Sequence, residues 1–405
     1  MMPGGKGLYC VKYFRDFSAL RTQARQAARR VASELQSFTA LQRAITVAGL
    51  GPAMLVGCAV HGNSRVAMFI EPGLIQTAQA QENSYTPVAA PPAPRGLMTQ
   101  LDSLTKGFAG KVGVAVTSID EGWTAQINGN VPLPQQSVSK LWVAMTLLDL
   151  RDQGRITLDD QITLTPADFT LFHQPIAYLV SKSGSYTASV AELMRRALQM
   201  SDNTCNDKLL RLAGGPQAVR SFVASKGLGS IRFGPGERDL QSLTAGLQWK
   251  PEYSKGNAFA VARSKLAPGL RLAAFESYVA NPIDGAAPAA IAGALARLKR
   301  GQLLSPSSTA WLLATMEEAK TGRARVHGAV PPGWVYGHKT GTGQDLGGRT
   351  AGFNDVGVLT APDGKSYALA VMIGDTPRPI RERQLLMQAI AKAIVASHDR
   401  TSNPG

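Results

Sequence analysis

A long apolar pattern runs from Leu141 to Leu150, where most positions are apolar on every face of a helix. Gly154 sits where such a helix would stop, so the stretch predicts a centrally buried helix. Upstream, Lys111–Ser118 alternates with Val112, Val114 and Val116 on one face. A Ser-Ile-Asp-Glu-Gly turn then leads to Trp123–Asn128, which predicts a β-hairpin. Residues 155–230 are mostly of helical period. Ala188–Met200 and Asn206–Leu212 are amphipathic stretches, and Gly214-Gly215-Pro216 separates helices. From Gly234 to about Asn281 little periodicity remains. Pro288–Arg300 and Thr309–Ala319 then read as helices. Three strands follow at Trp334–Lys339, Phe353–Thr360 and Ser366–Ile373, the last two joined by Ala361-Pro362-Asp363-Gly364, and the helix Arg381–Ser397 closes the pattern. Strands at both ends with helices between predict an α+β fold, an antiparallel β-sheet formed by the N- and C-terminal segments with a largely helical subdomain inserted.

Ahead of this domain the pattern changes. Residues 44–60 are uncharged and apolar, follow arginines, and read as an export signal; Gly51-Pro52 and the short length speak against a membrane span. Leu55-Val56-Gly57-Cys58 is similar to a bacterial lipobox, and Ala78-Gln79-Ala80 offers a second cleavage point. A polar, then proline-rich stretch reads as a spacer. The expected organisation is a leader over 1–80, a linker over 81–97, a domain over 98–400 and a tail over 401–405. The expected location is periplasmic or secreted, with Cys58 or the 44–60 segment as alternative points of membrane attachment.

Composition narrows the functional classes. The net charge of +15 invites a nucleic-acid reading, but residues 1–80 hold nine Lys and Arg against three acids, and the remaining basic residues are scattered without interleaved aromatics. No nucleic-acid partner is expected. Of three cysteines only Cys205 lies in the domain, which excludes a disulfide within it, and the five histidines show no metal-ligand spacing.

The chemistry gathers in three short motifs. Ser137-x-x-Lys140 stands at the mouth of the apolar helix, where Ser137 would meet unpaired N–H groups and Lys140, three residues on, would share its face. A desolvated lysine loses proton affinity and can accept a serine proton, so the pair suits acyl transfer. A second copy, Ser103-x-x-Lys106, precedes Gly107 and Gly110 and reads as a solvated turn. Ser201-Asp202-Asn203 follows an amphipathic helix and is either a simple cap or a functional turn. In the second case Ser201 relays a proton to a leaving nitrogen, Asn203 holds a substrate carbonyl and Asp202 fixes the backbone. Lys339-Thr340-Gly341-Thr342 ends a strand, where Gly341 permits close approach of a substrate backbone and Thr342 can donate an N–H. Lys320-Thr321-Gly322 has the same letters but reads as an ordinary helix end.

Ser-x-x-Lys, Ser-Asp-Asn and Lys-Thr-Gly in this order resemble the penicillin-recognising serine hydrolases, class A β-lactamases in particular, over about Met98 to His398. The resemblance implies that Lys140, or Glu237 through a water, takes the Ser137 proton, and that Glu237, in Glu237-Arg-Asp-Leu-Gln241, directs the water that hydrolyses an acyl-enzyme on Ser137. It further implies that Ser137 and Thr342 N–H groups receive the oxyanion, that Lys339 and Thr340 bind the substrate carboxylate, and that a monomer acts on a small β-lactam without metal or cofactor. Three departures stand out. Gln241 occupies the place of an asparagine that helps to hold the water, Asn354-Asp355 stands where others carry an arginine, and the 242–281 insertion is long enough to reshape the cleft. Phe172 or His173 is the candidate aromatic gatepost, with ordinary packing as the alternative. The rivals are a cell-wall D,D-peptidase or esterase-type hydrolase, and a penicillin-binding sensor acylated without turnover.

Overall fold

The computed structural model describes residues 90–402. The leader, Cys58, the 44–60 run, Ala78-Gln79-Ala80 and the linker up to residue 89 lie outside the described residues. Helix α1 (Arg95–Lys106) starts three residues before the expected domain boundary, and it turns Ser103 and Lys106 outward along one helix rather than in a turn. Strands β1 (Lys111–Ser118) and β2 (Thr124–Ile127) form the expected hairpin. The helical body comprises α2 (Lys140–Asp152), α3 (Ile176–Ser183), α4 (Val190–Gln199), α5 (Asn203–Leu212), α6 (Gly215–Ser225), α7 (Glu237–Thr244), α8 (Ala258–Ser264), α9 (Pro268–Ala280), α10 (Pro288–Lys299) and α11 (Pro306–Glu317). The chain then returns to the sheet as β3 (Val335–Thr342), β4 (Phe353–Thr360) and β5 (Ser366–Asp375), and α12 (Ile380–Ser402) follows.

The main sheet is antiparallel with the order β2-β1-β5-β4-β3, so the two ends of the domain meet where Val114 faces Val371. Period-two alternation along β5 sorts its side chains between two cores. Ala368, Ala370 and Met372 join the core around α2, while Leu369, Val371 and Ile373 join Leu97 and Leu101 of α1 and Met387, Ile390 and Ile394 of α12. Burial on both faces is why the strand reads as a nearly continuous apolar run. Helix α2 is buried from Lys140 through Leu148, as its all-round apolarity implies.

The region from Gly234 to Asn281 departs from expectation. It is not structureless but holds α7, α8 and α9. Helix α9 has Pro268 at its start and leaves Leu270 and Leu272 at least half exposed, so its apolar residues do not fall on one stripe and the periodic signal is weak. Strand β3 also runs three residues beyond Lys339, which places Lys339-Thr340-Gly341-Thr342 inside the strand.

Candidate active site

Ser137 is held by the segment that leads into α2. Leu133-Pro134 pairs with Gly285-Ala286, and the Trp142 indole donates to Gln135 Oε1 at 2.6 Å. Asn354 of β4 donates to the carbonyls of Pro134 (2.8 Å) and Gln135 (3.0 Å), clamping the chain just before the serine. Gln136 is held at φ 53°, a strained region for a non-glycine residue, while its N–H donates to Asp284 Oδ2 at 2.7 Å. A single 3-10 turn, Gln136–Ser139, then feeds α2. Gly341 of β3 packs so closely here that a Cβ would stand 2.3 Å from the Gln135 carbonyl oxygen. The glycine therefore makes room for the protein's own backbone.

Lys140, almost fully buried, points back along the face it shares with Ser137. Its Nζ lies 2.9 Å from Ser137 Oγ and 2.9 Å from Asn203 Oδ1, and it also contacts a Glu237 carboxylate oxygen. Asn203 is the first residue of α5. Asp202 caps that helix by accepting from the Cys205 N–H at 3.0 Å, and its other oxygen accepts from the Ile176 N–H at 2.7 Å, so it fixes backbone on two elements. Ser201 sits at φ 61° before this cap and receives a hydrogen bond from Lys339 Nζ at 2.9 Å. Burial, reinforced by the nearby Lys140 ammonium, pushes the Lys339 pKa well below the ordinary lysine value.

Glu237 opens α7 and is itself buried. Asp207 of α5 accepts the Glu237 N–H at 2.9 Å and the Arg238 N–H at 3.2 Å, anchoring the first turn of α7. Gln241, one turn on, donates to Glu237 Oε2 at 3.2 Å and to Gln136 Oε1 at 3.1 Å. Burial, together with the Glu237 charge, raises the carboxyl pKa of both Asp207 and Asp284 to about 6.

The motifs thus converge on one cleft of about 550 Å³, whose lining includes Ser137, Ser201, Asn203, Gln241, Thr340 and Thr342. Lys140, Glu237 and Lys339 stand behind that surface through the contacts above. Two further residues escaped the sequence reading. Thr321, dismissed with its Lys-Thr-Gly letters as a helix end, bonds through its hydroxyl to the Thr340 hydroxyl at 2.8 Å and lines the cleft; α11 has already ended at Glu317. Arg325 donates to the Gly341 and Asn354 carbonyls (3.0 and 2.6 Å) and to Thr342 Oγ1 (2.6 Å), with its guanidinium 3.8 Å from the Phe353 ring centroid. Burial lowers its pKa to about 10, which leaves it cationic at neutral pH. The sequence signal for it was Asn354-Asp355, standing where the resemblance leads one to expect an arginine. Phe172, at φ 59°, and His173 both line the cleft. The Phe172 ring meets Phe259 of α8 edge to face, 5.4 Å between centroids, so the insertion builds part of the cleft.

Comparison with known proteins gives one consistent picture. Residues 96–397 match the model of the beta-lactamase enzyme family. The chain is 27% identical to the extended-spectrum beta-lactamase PER-1 of Pseudomonas aeruginosa, over 73% of this chain and 85% of that protein. Beta-lactamase VEB-1, also of Pseudomonas aeruginosa, is 25% identical over 73% of this chain and 88% of its own. Among solved structures, a beta-lactamase from Chitinophaga pinensis superposes with a TM-score of 0.61 at 27% identity, covering 75% of this chain and 99% of that one. The TLA-3 extended-spectrum beta-lactamase gives 0.61 at 26% identity, covering 75% and 98%.

Proposed function

Because the chain belongs to the class A beta-lactamase family, we propose that it hydrolyses the amide of β-lactams through an ester on Ser137. The observation that carries this reading is the Lys140 ammonium, which touches Ser137 Oγ, Asn203 Oδ1 and Glu237 at once. In the first half-reaction Lys140 passes a proton to Glu237, and its freed lone pair takes the Ser137 proton as Oγ bonds to the lactam carbonyl carbon. The N–H groups of Ser137 and Thr342 receive the developing oxyanion. As the carbon–nitrogen bond breaks, the nitrogen takes a proton from Ser201, which recovers one from Lys339. The depressed proton affinity of Lys339 suits this donation, and the extra proton on the Lys140–Glu237 pair restores it.

In the second half-reaction Glu237, ionised again and steadied by Gln241, takes a proton from water as that oxygen bonds to the ester carbon. The carbon–oxygen bond breaks and the proton returns through Lys140 to Ser137. Lys339, Thr340, Thr321 and Arg325 gather positive charge and hydroxyl groups at one end of the cleft, where the substrate carboxylate binds. Asn203 holds the side-chain carbonyl. Export by the 44–60 segment would place this activity in the periplasm or outside the cell.

The test is turnover of a chromogenic cephalosporin beside release of D-alanine from a D-alanyl-D-alanine peptide. Cephalosporin turnover lost by at least about a thousandfold in Ser137→Ala supports the assignment. Retained turnover in that variant, or peptide cleavage without cephalosporin turnover, would sink it.

A further inference from the structure

The insertion contributes one charge to the cleft that the mechanism does not use. Arg263 lies on α8 and lines the cleft beside Gln344, Asp345, Phe172 and Gln241. Its Nη1 donates to the neutral Gln344 Oε1 at 3.1 Å, and among the described residues no carboxylate forms an ion pair with it. The guanidinium lies 5.9 Å from the ring of Phe259 on the same helix, and that ring packs edge to face against Phe172. Burial and then the nearby Arg271 disfavour its proton, and Asp345 favours it while accepting a hydrogen bond from Thr350 Oγ1. The cation is therefore part-buried, lines the cleft and donates there to one neutral partner.

Its place along the strand edge says what it faces. Lys339 and Thr340 mark the end of the cleft that takes the ring carboxylate, and the chain continues through Thr342 and Gly343 to Gln344. Five residues of extended chain span at most about 16 Å. A ligand seated on Ser137 with its ring carboxylate at Lys339, and its acylamino group between Asn203 and Thr342, directs the remainder of that side chain toward Gln344 and Arg263. Resting on the proposed function, we propose that Arg263 forms a second anion subsite, which selects β-lactams bearing a carboxylate on the acylamino side chain. Arg263 exchanges part of its bond to Gln344 for a charge-assisted pair with that carboxylate.

The test compares benzylpenicillin with its analogue carrying a carboxylate on the side-chain α-carbon, using the full chain. The readout is the ratio of kcat/KM for the carboxylated compound to that for the parent. Arg263→Gln is expected to lower this ratio about tenfold, mainly through KM, and Arg263→Lys to recover most of it, with the wild-type ratio falling as salt is raised. A ratio unchanged in Arg263→Gln, or the same loss in Lys and Gln variants, overturns the subsite and leaves Arg263 a support for Gln344. Failure of the proposed function would show differently, as turnover of neither compound by the wild type. The subsite is then read by calorimetry on Ser137→Ala protein. The carboxylated compound is expected to bind about tenfold more tightly than to the Ser137→Ala, Arg263→Gln double variant, and equal affinities overturn it.

Discussion

Asp284 joins the two sides of the serine's support, accepting from the Gln136 N–H on Oδ2 and from the Tyr278 hydroxyl on Oδ1. Its burial raises the folded-state pKa from 3.8 to about 6, so the native protein holds a proton there that the unfolded chain releases near 3.8. The resulting stabilisation is complete below the unfolded pKa and is lost as pH rises through about 6. Asp284→Asn keeps an amide oxygen for Gln136 while removing the titration. Urea midpoints at pH 4.5 and 7.5 should therefore fall less across the interval in the variant than in the wild type. The difference between the two proteins isolates this residue from Asp168, whose lowered pKa acts in the opposite sense. Parallel pH profiles would contradict this assignment. At this scale the sequence was most opaque for Arg325 and Thr321. Arg325 belongs to no motif, Thr321 sits in a Lys-Thr-Gly copy that reads as a helix end, and each reaches the cleft only because the chain after α11 folds back against β3.

The contact between β3 and the segment before α2 sets the distance between Ser137 and Thr342. Gly341 keeps it short by having no side chain, since a methyl group there would stand 2.3 Å from the Gln135 carbonyl oxygen and push the two segments apart. Gly341→Ala is expected to cut kcat/KM by at least about a hundredfold, by misplacing the oxyanion donors, while the thermal midpoint falls by only a few degrees. A variant with unchanged kinetics would mean that β3 is free to shift. Elements with a strong period were legible: the all-round apolar α2, the alternating β1, and β5 with its Ala361–Gly364 turn. The helices of the insertion were not, because α8 is short and α9 exposes leucines where a stripe should turn polar. The letters of Lys339-Thr340-Gly341-Thr342 were found, but its placement inside β3 required knowing that β4 pairs with it through Phe353.

The two halves of the molecule are locked together because β1 and β5, from opposite ends of the domain, pair along their length and are covered by α1 and α12. Removing residues 380–405 would strip the apolar residues of α12 from that face, at about 1.5–3 kcal/mol for each large side chain. For Leu386, Met387, Ile390 and Ile394 together the loss is comparable to the whole stability of an ordinary domain. The truncated protein should show no cooperative thermal transition by circular dichroism, and a sharp native-like transition would refute the two-core description. The α+β architecture and its inserted helical body were readable from the order of periods alone. The convergence of Ser137, Lys140, Ser201, Glu237 and Lys339 on one cleft was foreshadowed only through the family resemblance, since 202 residues separate the first from the last. The most direct test of the acyl-enzyme cycle is intact-mass spectrometry of the full chain mixed with a cephalosporin and followed in time beside Glu237→Gln. The expected result is product with no lasting adduct on the wild type, and a persistent adduct on Ser137 in the variant. A lasting adduct on the wild type would show that Gln241 and the insertion do not support hydrolysis and that the protein is an acylated sensor; no adduct on either would contradict the covalent mechanism itself.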